Sequence, residues 1–308
     1  MPDTNQTPAG QVPPLEPASG TTPARKRENP NNSSAPASSA TGGAEGAAVQ
    51  AAPAPREVHA VMQGKGGVGK TYVAGLIAQW LIERGEPVAC LDTDPVNASF
   101  CDLRALNVSP VALFKEGGDE VDVDAMDAMV ERFLSEDSHF VVDNGAASFV
   151  PLSRYLVQDG IADTIAGAGK KLVVHAVVAG GQELVQTAKG FDSIASQFPA
   201  SADVVLWLNE HHGSVDGRGA GGFEATPLYR KHEARIRGVV RLAHLHQPTF
   251  GANVSAMLAR GMTFAEALDS PEFFVVAKQR LVQVKRAVFD QLVPVLAAGT
   301  APAPSRAV

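Results

Sequence analysis

Two cysteines in 308 residues, Cys90 and Cys101, cannot staple a chain of this length, and neither stands in a C-x-x-C or Cys/His spacing that would read as a metal site. They read as reduced cytosolic thiols. Aromatic residues are scarce at 6% while hydrophobic residues make up 45%, so the core is expected to rest on Ala, Val and Leu. No stretch approaches the ~18 uninterrupted apolar residues of a membrane span. The N-terminus, MPDTNQTPAG, carries no basic cluster ahead of an apolar run. A soluble, cytoplasmic protein is expected. Basic charge is also short: 26 Lys+Arg against 33 Asp+Glu gives a formal charge of -7. That balance excludes an overall basic footprint for nucleic acid or anionic lipid, though it leaves room for a local patch.

The length fits either two domains or one large α/β domain with tails. Composition favours the second. Residues 1–55 are almost entirely Pro, Ala, Ser, Thr, Gly and Asn, with hardly any branched or aromatic side chain to bury, and are expected to be disordered. Their one basic cluster, Arg25-Lys26-Arg27, reads either as a docking or DNA-touching arm or as a solvated linker run. Residues 299–308 repeat the composition as a flexible tail, which leaves 56–298 as the folded body. No internal repeat is visible.

Within the body, short Val-rich apolar runs alternate with longer helical segments. Strands are expected at Val58–Gln63, Pro87–Asp92, His139–Asp143, Lys171–Val178, Asp203–Asn209 and Arg237–Leu242. Helices are expected at Thr71–Arg84, Val123–Leu134, Gly181–Gln197, Gly222–Ala234 and Glu272–Leu296. Such alternation predicts an α/β fold with a doubly wound, mostly parallel sheet, whose chemistry lies just beyond the C-terminal strand ends.

The first strand runs into Gly64-Lys65-Gly66-Gly67-Val68-Gly69-Lys70-Thr71, which satisfies G-x-x-x-x-G-K-[ST] between an apolar strand and a helix. The glycines let successive backbone N–H groups, that of Val68 among them, curl around phosphate oxygens, and the helix N-terminus adds partial positive charge. Lys70 would face the β/γ-phosphates and the Thr71 hydroxyl would ligate Mg²⁺, making ATP and Mg²⁺ the expected cofactors. Three later strand ends carry polar groups: Asp92-Thr93-Asp94, Asp143 and Asn209. Asp143, after Val141-Val142, fits a Walker B carboxylate that holds Mg²⁺ through its water shell. Each of these residues also suits a plain strand-end cap or Asx turn. His211 and His212 read as loop residues near the nucleotide edge, with no ligand spacing around them.

The second lysine of the loop, Lys65 in K-G-G-V-G-K-T, resembles the deviant Walker A signature of ParA/MinD-type ATPases. That resemblance implies an ATP-dependent homodimer in which Lys65 reaches the partner's phosphates, and slow Mg²⁺-dependent hydrolysis. It implies that Asp94 orients the attacking water and contributes to the metal site, that Asp92 pairs with the signature lysine, and that Asn209 reads the adenine amino edge. More narrowly, residues 58–292 are similar to the ParA/MinD-type conjugal transfer ATPases of broad-host-range plasmids. The segments that carry this are 63–70, Asp92-Thr93-Asp94-Pro95-Val96-Asn97-Ala98, Val142-Asp143-Asn144-Gly145-Ala146, Phe149-Val150-Pro151-Leu152-Ser153, Ala195-Ser196-Gln197-Phe198-Pro199, 207–209 and 263–268. The likeness implies a role in plasmid or integrative-element DNA transfer alongside transfer-machinery proteins.

Asn144-Gly145 follows the Walker B Asp where many relatives carry a proline, so switch II is expected to move differently. The final helix leads into a Pro/Ala tail, so no stable membrane anchor is expected. Two other readings stay open. Arg230, Lys231, Arg235, Arg237 and Arg241, with Lys278, Arg280, Lys285 and Arg286, would suit a partition ATPase that binds DNA non-specifically. A nucleotide-gated scaffold with little hydrolysis is the other.

Overall fold

The computed structural model describes residues 55–94, 98–118, 120–216 and 221–296. The expected tails, the Arg25-Lys26-Arg27 cluster and Pro95-Val96-Asn97 lie outside the described residues. The described chain builds one parallel sheet from β1 (Glu57–Met62), β2 (Val88–Asp92), β3 (Ser109–Pro110), β4 (His139–Asp143), β5 (Lys171–Ala179), β6 (Asp203–Asn209) and β7 (Ile236–Leu242). Its order is β3-β2-β4-β1-β5-β6-β7. β1 is central, so the chain first fills one side of it and then the other, and that reversal opens a crevice at the C-terminal end of β1. The doubly wound α/β expectation holds.

Period-two alternation assigns the two faces. Val61, Val141, Val173, Val205 and Trp207 pack beneath α1 (Lys70–Glu83), α7 (Ala252–Leu258), α8 (Phe264–Asp269) and α9 (Val275–Leu296). Val58, Ala60, Met62, Val142 and Val174 face α2 (Val123–Ser135), α3 (Phe149–Gln158), α4 (Ile161–Gly167), α5 (Leu184–Gln197) and α6 (Pro227–His232). Both faces are covered, which explains the near-continuous apolar strands. α1 is buried on nearly every side, with Val73, Leu76, Ile77 and Leu81 fully enclosed. Each such side chain contributes about 1.5–3 kcal/mol relative to exposure.

Some expected elements differ. The helix at 222–234 is three pieces, a 3-10 turn at Phe223–Ala225, then α6, then a second turn at Glu233–Arg235. Thr226 caps a new helix by accepting from Tyr229 N, and Pro227 stands at its first turn, where a missing N–H costs nothing. The last helix begins at Val275, three residues later than expected. The helices α3, α4, α7 and α8 are short and escaped the periodicity, although Thr263 and Glu266 of α8 form a reciprocal capping box that the T-x-x-E spacing announces. Among the described residues no helix is long and apolar enough to cross a membrane.

One face of the sheet encloses a polar chain. Trp207 Nε1 donates to His175 Nδ1 at 2.9 Å, and His175 Nε2 lies 3.0 Å from His59 Nδ1. Indole is only a donor, so His175 must carry its proton on Nε2 and give it to His59 Nδ1, which puts the His59 proton on Nε2. That atom has no hydrogen-bond partner among the described residues and lies 3.5 Å from Glu57 Oε2. His139, stacked 6.1 Å from His59, accepts from Glu57 N. Burial holds His59 well below the usual imidazole range, His175 at about 3 and His139 at about 4.

The folded protein therefore keeps these rings neutral where the unfolded chain would protonate them. Their contribution is complete above the ordinary His value near 6.5 and is lost as pH falls below it, at about 1.4 kcal/mol per pH unit for each ring. Asp143, pushed up to about 7, acts in the opposite sense over the same range, so a difference measurement isolates the rings. Denaturant unfolding of the parent and of His175→Gln should give stabilities that converge by about 1.4 kcal/mol between roughly pH 6 and 5. Parallel pH profiles would show that His175 is not held neutral.

Candidate nucleotide-binding site

Beyond β1 the chain turns through Gln63 to Gly69 and enters α1. Gly67 and Gly69 hold φ of +74° and +94°, which L side chains rarely adopt. A Cβ on Gly69 would also stand 2.8 Å from Asn209 Nδ2, so the position needs glycine twice over. α1 begins with no side-chain cap and no acidic residue in its first turn. Its leading N–H groups and its dipole are thus directed at the space where an anion would sit.

The root of this loop is tied down by Gln63. Its Nε2 donates to Val177 O at 2.7 Å and to Thr187 O at 3.1 Å, and its Oε1 accepts from Gly64 N at 2.9 Å. α5 approaches so closely that a Cβ on Gly190 would lie 2.1 Å from Gln63 Oε1.

Lys70, Thr71 and Asp143 meet as expected. Lys70 is buried and its Nζ donates to Lys65 O at 3.0 Å; burial lowers its pKa, while Asp143 and Asp94 pull the other way. Thr71 Oγ1 donates to Asp143 Oδ2 at 2.6 Å and lies 3.0 Å from Ser99 Oγ. Asp143 Oδ1 is buried without a partner among the described residues. Burial pushes this carboxyl up to about 7, with the Thr71 hydroxyl opposing and Asp92 adding to the rise. An unpaired buried carboxylate oxygen beside a hydroxyl is a donor set that a hard divalent cation would satisfy.

Asp92 is engaged by backbone N–H groups. Its oxygens accept from Asp94 N and Phe100 N, both at 3.0 Å, and from Cys101 N at 3.4 Å. It braces the backbone that follows β2, while Lys65 Nζ lies 3.3 Å from Glu183 Oε2 and is not paired with Asp92 within the single chain. Three backbone donors orient a carboxylate that is 2% exposed, and Lys65 is engaged with Glu183 instead. Asp94 lines the cleft with Lys70, Thr71 and Asp143. Gly145 backs it so closely that a Cβ there would fall 2.8 Å from both Asp94 Cα and Cγ.

Behind Asp94, Thr93 Oγ1 and Ser148 Oγ lie 3.2 and 2.6 Å from Asn144 Oδ1, joining the ends of β2 and β4. The cleft of about 630 Å³ that Gly66, Gly67 and Asp94 line opens beside a second cavity of about 220 Å³ lined by Asn209, His211 and His212. Asn209 Nδ2 donates to Val68 O at 2.9 Å and its Oδ1 accepts from His211 N at 3.0 Å, an Asx turn that holds the loop from the side. His212 Nε2 lies 3.3 Å from Gly67 O.

Six of the nine basic residues are engaged within the fold, while Arg230, Lys278 and Arg280 form no ion pair among the described residues. Arg235 binds the carbonyls of Phe198, Pro199 and Ala202; Arg237 pairs with Glu57; Arg241 pairs with Glu210 and Glu224; Lys231 pairs with Asp192. On α9, Lys285 pairs with Glu83 and Arg286 with Asp290. Sequence reasoning missed Ser99, Glu183 and the anchoring role of Gln63, because a lone polar residue in a loop or at a strand end announces no partner.

Residues 59–243 match the model of the CobQ/CobB/MinD/ParA nucleotide binding domain, and the chain belongs to that family. It is 41% identical over 236 residues to Protein TraL of Escherichia coli, covering 77% of this chain and 97% of the relative. A second Escherichia coli Protein TraL matches with the same identity and coverage. Among solved structures, the MinD cell division protein of Aquifex aeolicus is similar with a TM-score of 0.41 and 16% identity, over 76% of this chain and 97% of that one. The septum site-determining protein MinD of Pyrococcus horikoshii OT3, complexed with Mg-ADP, has a TM-score of 0.38 at 16% identity, over 78% and 97%.

The packing of Gly145 on Asp94 yields a prediction. Gly145→Ala must displace Asp94 while leaving the phosphate loop untouched, so ATP affinity should stay within about threefold of the parent while single-turnover hydrolysis falls roughly tenfold or more. Asp94→Ala should behave alike. Parental hydrolysis in both variants would assign the alignment of water to another residue.

Proposed function

We propose that this chain is a Mg²⁺-dependent ATPase that dimerises when ATP is bound and serves conjugal transfer of plasmid or integrative-element DNA by positioning or recruiting transfer components. The observation that carries the reading is the convergence of Lys70, Thr71 and Asp143 at the start of α1, with Thr71 Oγ1 2.6 Å from Asp143 and the second carboxylate oxygen unpaired. Glycine backbone and the uncapped helix end receive phosphate oxygens; Lys70 faces the β/γ-phosphates. Thr71, Asp143 and Asp94 would hold Mg²⁺, which when bound neutralises developing charge on the phosphates. Asp94, braced by Gly145, orients the water. The cavity beside Asn209 offers room for the base, and Asn209 keeps one Nδ2 proton and one Oδ1 lone pair beyond its bonds to Val68 O and His211 N, a donor and an acceptor for the adenine edge. The conjugal assignment draws on the similarity to TraL and the narrower resemblance.

A second reading, a nucleotide-gated scaffold that hydrolyses little, is favoured by one contact. Lys65 is held by Glu183 in the single chain and so must leave that partner to reach another subunit's phosphates. The DNA-partition reading draws on Arg230, Lys278 and Arg280, which form no ion pair among the described residues, while Lys231, Arg237, Arg241, Lys285 and Arg286 are paired within the fold.

Lys70→Ala removes the buried cation of the loop, and ATP binding by calorimetry should weaken roughly 10- to 100-fold. Parental affinity would remove the loop from the reading.

Lys65→Ala should leave ATP binding by the monomer within a few-fold while abolishing the mass increase that light scattering shows for the parent with ATP against ADP. A parent of the same mass in both nucleotides would reject dimerisation, and single-turnover rates near zero in an intact dimer would favour the scaffold.

A further inference from the structure

Two segments that carry the narrower resemblance do not line the nucleotide cleft, yet the fold brings them together. Residues 149–153 open α3 and residues 195–199 close α5, and the two helices flank a surface groove of about 460 Å³. That size falls in the range of roughly 300–1,000 Å³ typical of ligand clefts. Phe149, Val157, Ile194 and Phe198 supply apolar walls, and Val150 stands 59% exposed at the rim.

Ser153, Arg154, Gln158, Ser193 and Gln197 supply the polar part of the lining, and Gln197 Nε2 donates to Ser193 Oγ at 2.7 Å. Ser153 Oγ is buried and has no hydrogen-bond partner among the described residues. Arg154 is the sole charged residue in the lining, and neither it nor the exposed Lys189, one turn before Ser193 on α5, forms an ion pair among the described residues. Asp192, the nearest acid on α5, is taken by Lys231 and His232. An unpaired buried hydroxyl, the Arg154 guanidinium in the lining and the apolar walls of Phe149, Val157, Ile194 and Phe198 are complementary to a segment that brings an apolar side chain and a carboxylate.

We infer that the α3–α5 groove docks a peptide segment of a protein partner, anchored by an apolar residue in the groove and an Asp or Glu on Arg154. Both walls touch the root of the phosphate loop. A Cβ on Gly64 would lie 3.0 Å from the Phe149 ring, and α5 meets Gln63 through Thr187 and Gly190. The link from partner to nucleotide rests on the nucleotide reading above; the groove itself does not.

A phage-displayed library of random dodecapeptides, panned on the full chain, tests this. Enriched peptides should pair a bulky apolar residue with a nearby Asp or Glu. A synthetic representative, followed by fluorescence anisotropy, should bind about tenfold or more weakly to Val150→Asp and to Arg154→Glu. Both sites are exposed, and unchanged thermal melts would show that the variants fold. Exchanging the peptide's acid for Lys should restore binding to Arg154→Glu. Lys70→Ala should keep peptide binding even where it loses ATP, so the two readings fail separately. The proposal is overturned by no enrichment, by enrichment of basic peptides, or by peptides that bind both folded groove variants as they bind the parent.

Discussion

The side-chain amide of Gln63 donates to Val177 O and Thr187 O and accepts from Gly64 N, in a place that is 1% exposed. Each of those groups would cost about 1–3 kcal/mol if left unpaired there. One side chain therefore fixes where β1 stops, how the phosphate loop leaves it and how near α5 comes. The loop needs that fixity. Its backbone N–H groups cannot be spent on one another if they are to receive a ligand, so the restraint must come from outside: from Gln63 at the root, Asn209 at Val68 O and His212 beside Gly67 O.

The same logic explains why the switch segments are polar inside. Asp92 binds three N–H groups of the loop after β2, and Thr93, Asn144 and Ser148 knit the ends of β2 and β4. Asn144 Nδ2 is buried without a partner among the described residues. Asn144-Gly145 is thus chosen for two local reasons. The amide joins the hydroxyl network, and the missing Cβ admits Asp94.

Strand positions and the phosphate loop were legible because both are written in local pattern: Val-rich runs of strand length, and glycines at fixed offsets before Lys70-Thr71. β3 was not, since Ser109–Pro110 is a two-residue exposed edge with no alternation to see. The Gly222–Ala234 segment misled because its composition suits a helix while Thr226-Pro227 restarts the chain. Lys65 and Asp92 show the limit for sites. Their identities were readable, but their partners depend on which carboxylate lies near and how many backbone donors it already holds. The partners of the basic stretch were hidden for a related reason: Arg237 and Arg241 sit on β7, where acids from β1, β6 and the neighbouring loops reach them, and Arg235 beside it is taken by backbone carbonyls.

Charge at the cleft has its own direction. Asp92, Asp94 and Asp143 stand close enough for each to oppose ionisation of a neighbour, and Lys70 with its lowered pKa is the buried cation among them. Adding a polyphosphate alone would deepen the excess of negative charge in a region of low dielectric. Adding a divalent cation alone would relieve the carboxylates but leave the loop's N–H groups without an acceptor. Each ligand removes the obstacle to the other, so nucleotide and cation should enter as a pair, and a bound cation would favour the ionised form of Asp143, whose carboxyl burial raises to about 7.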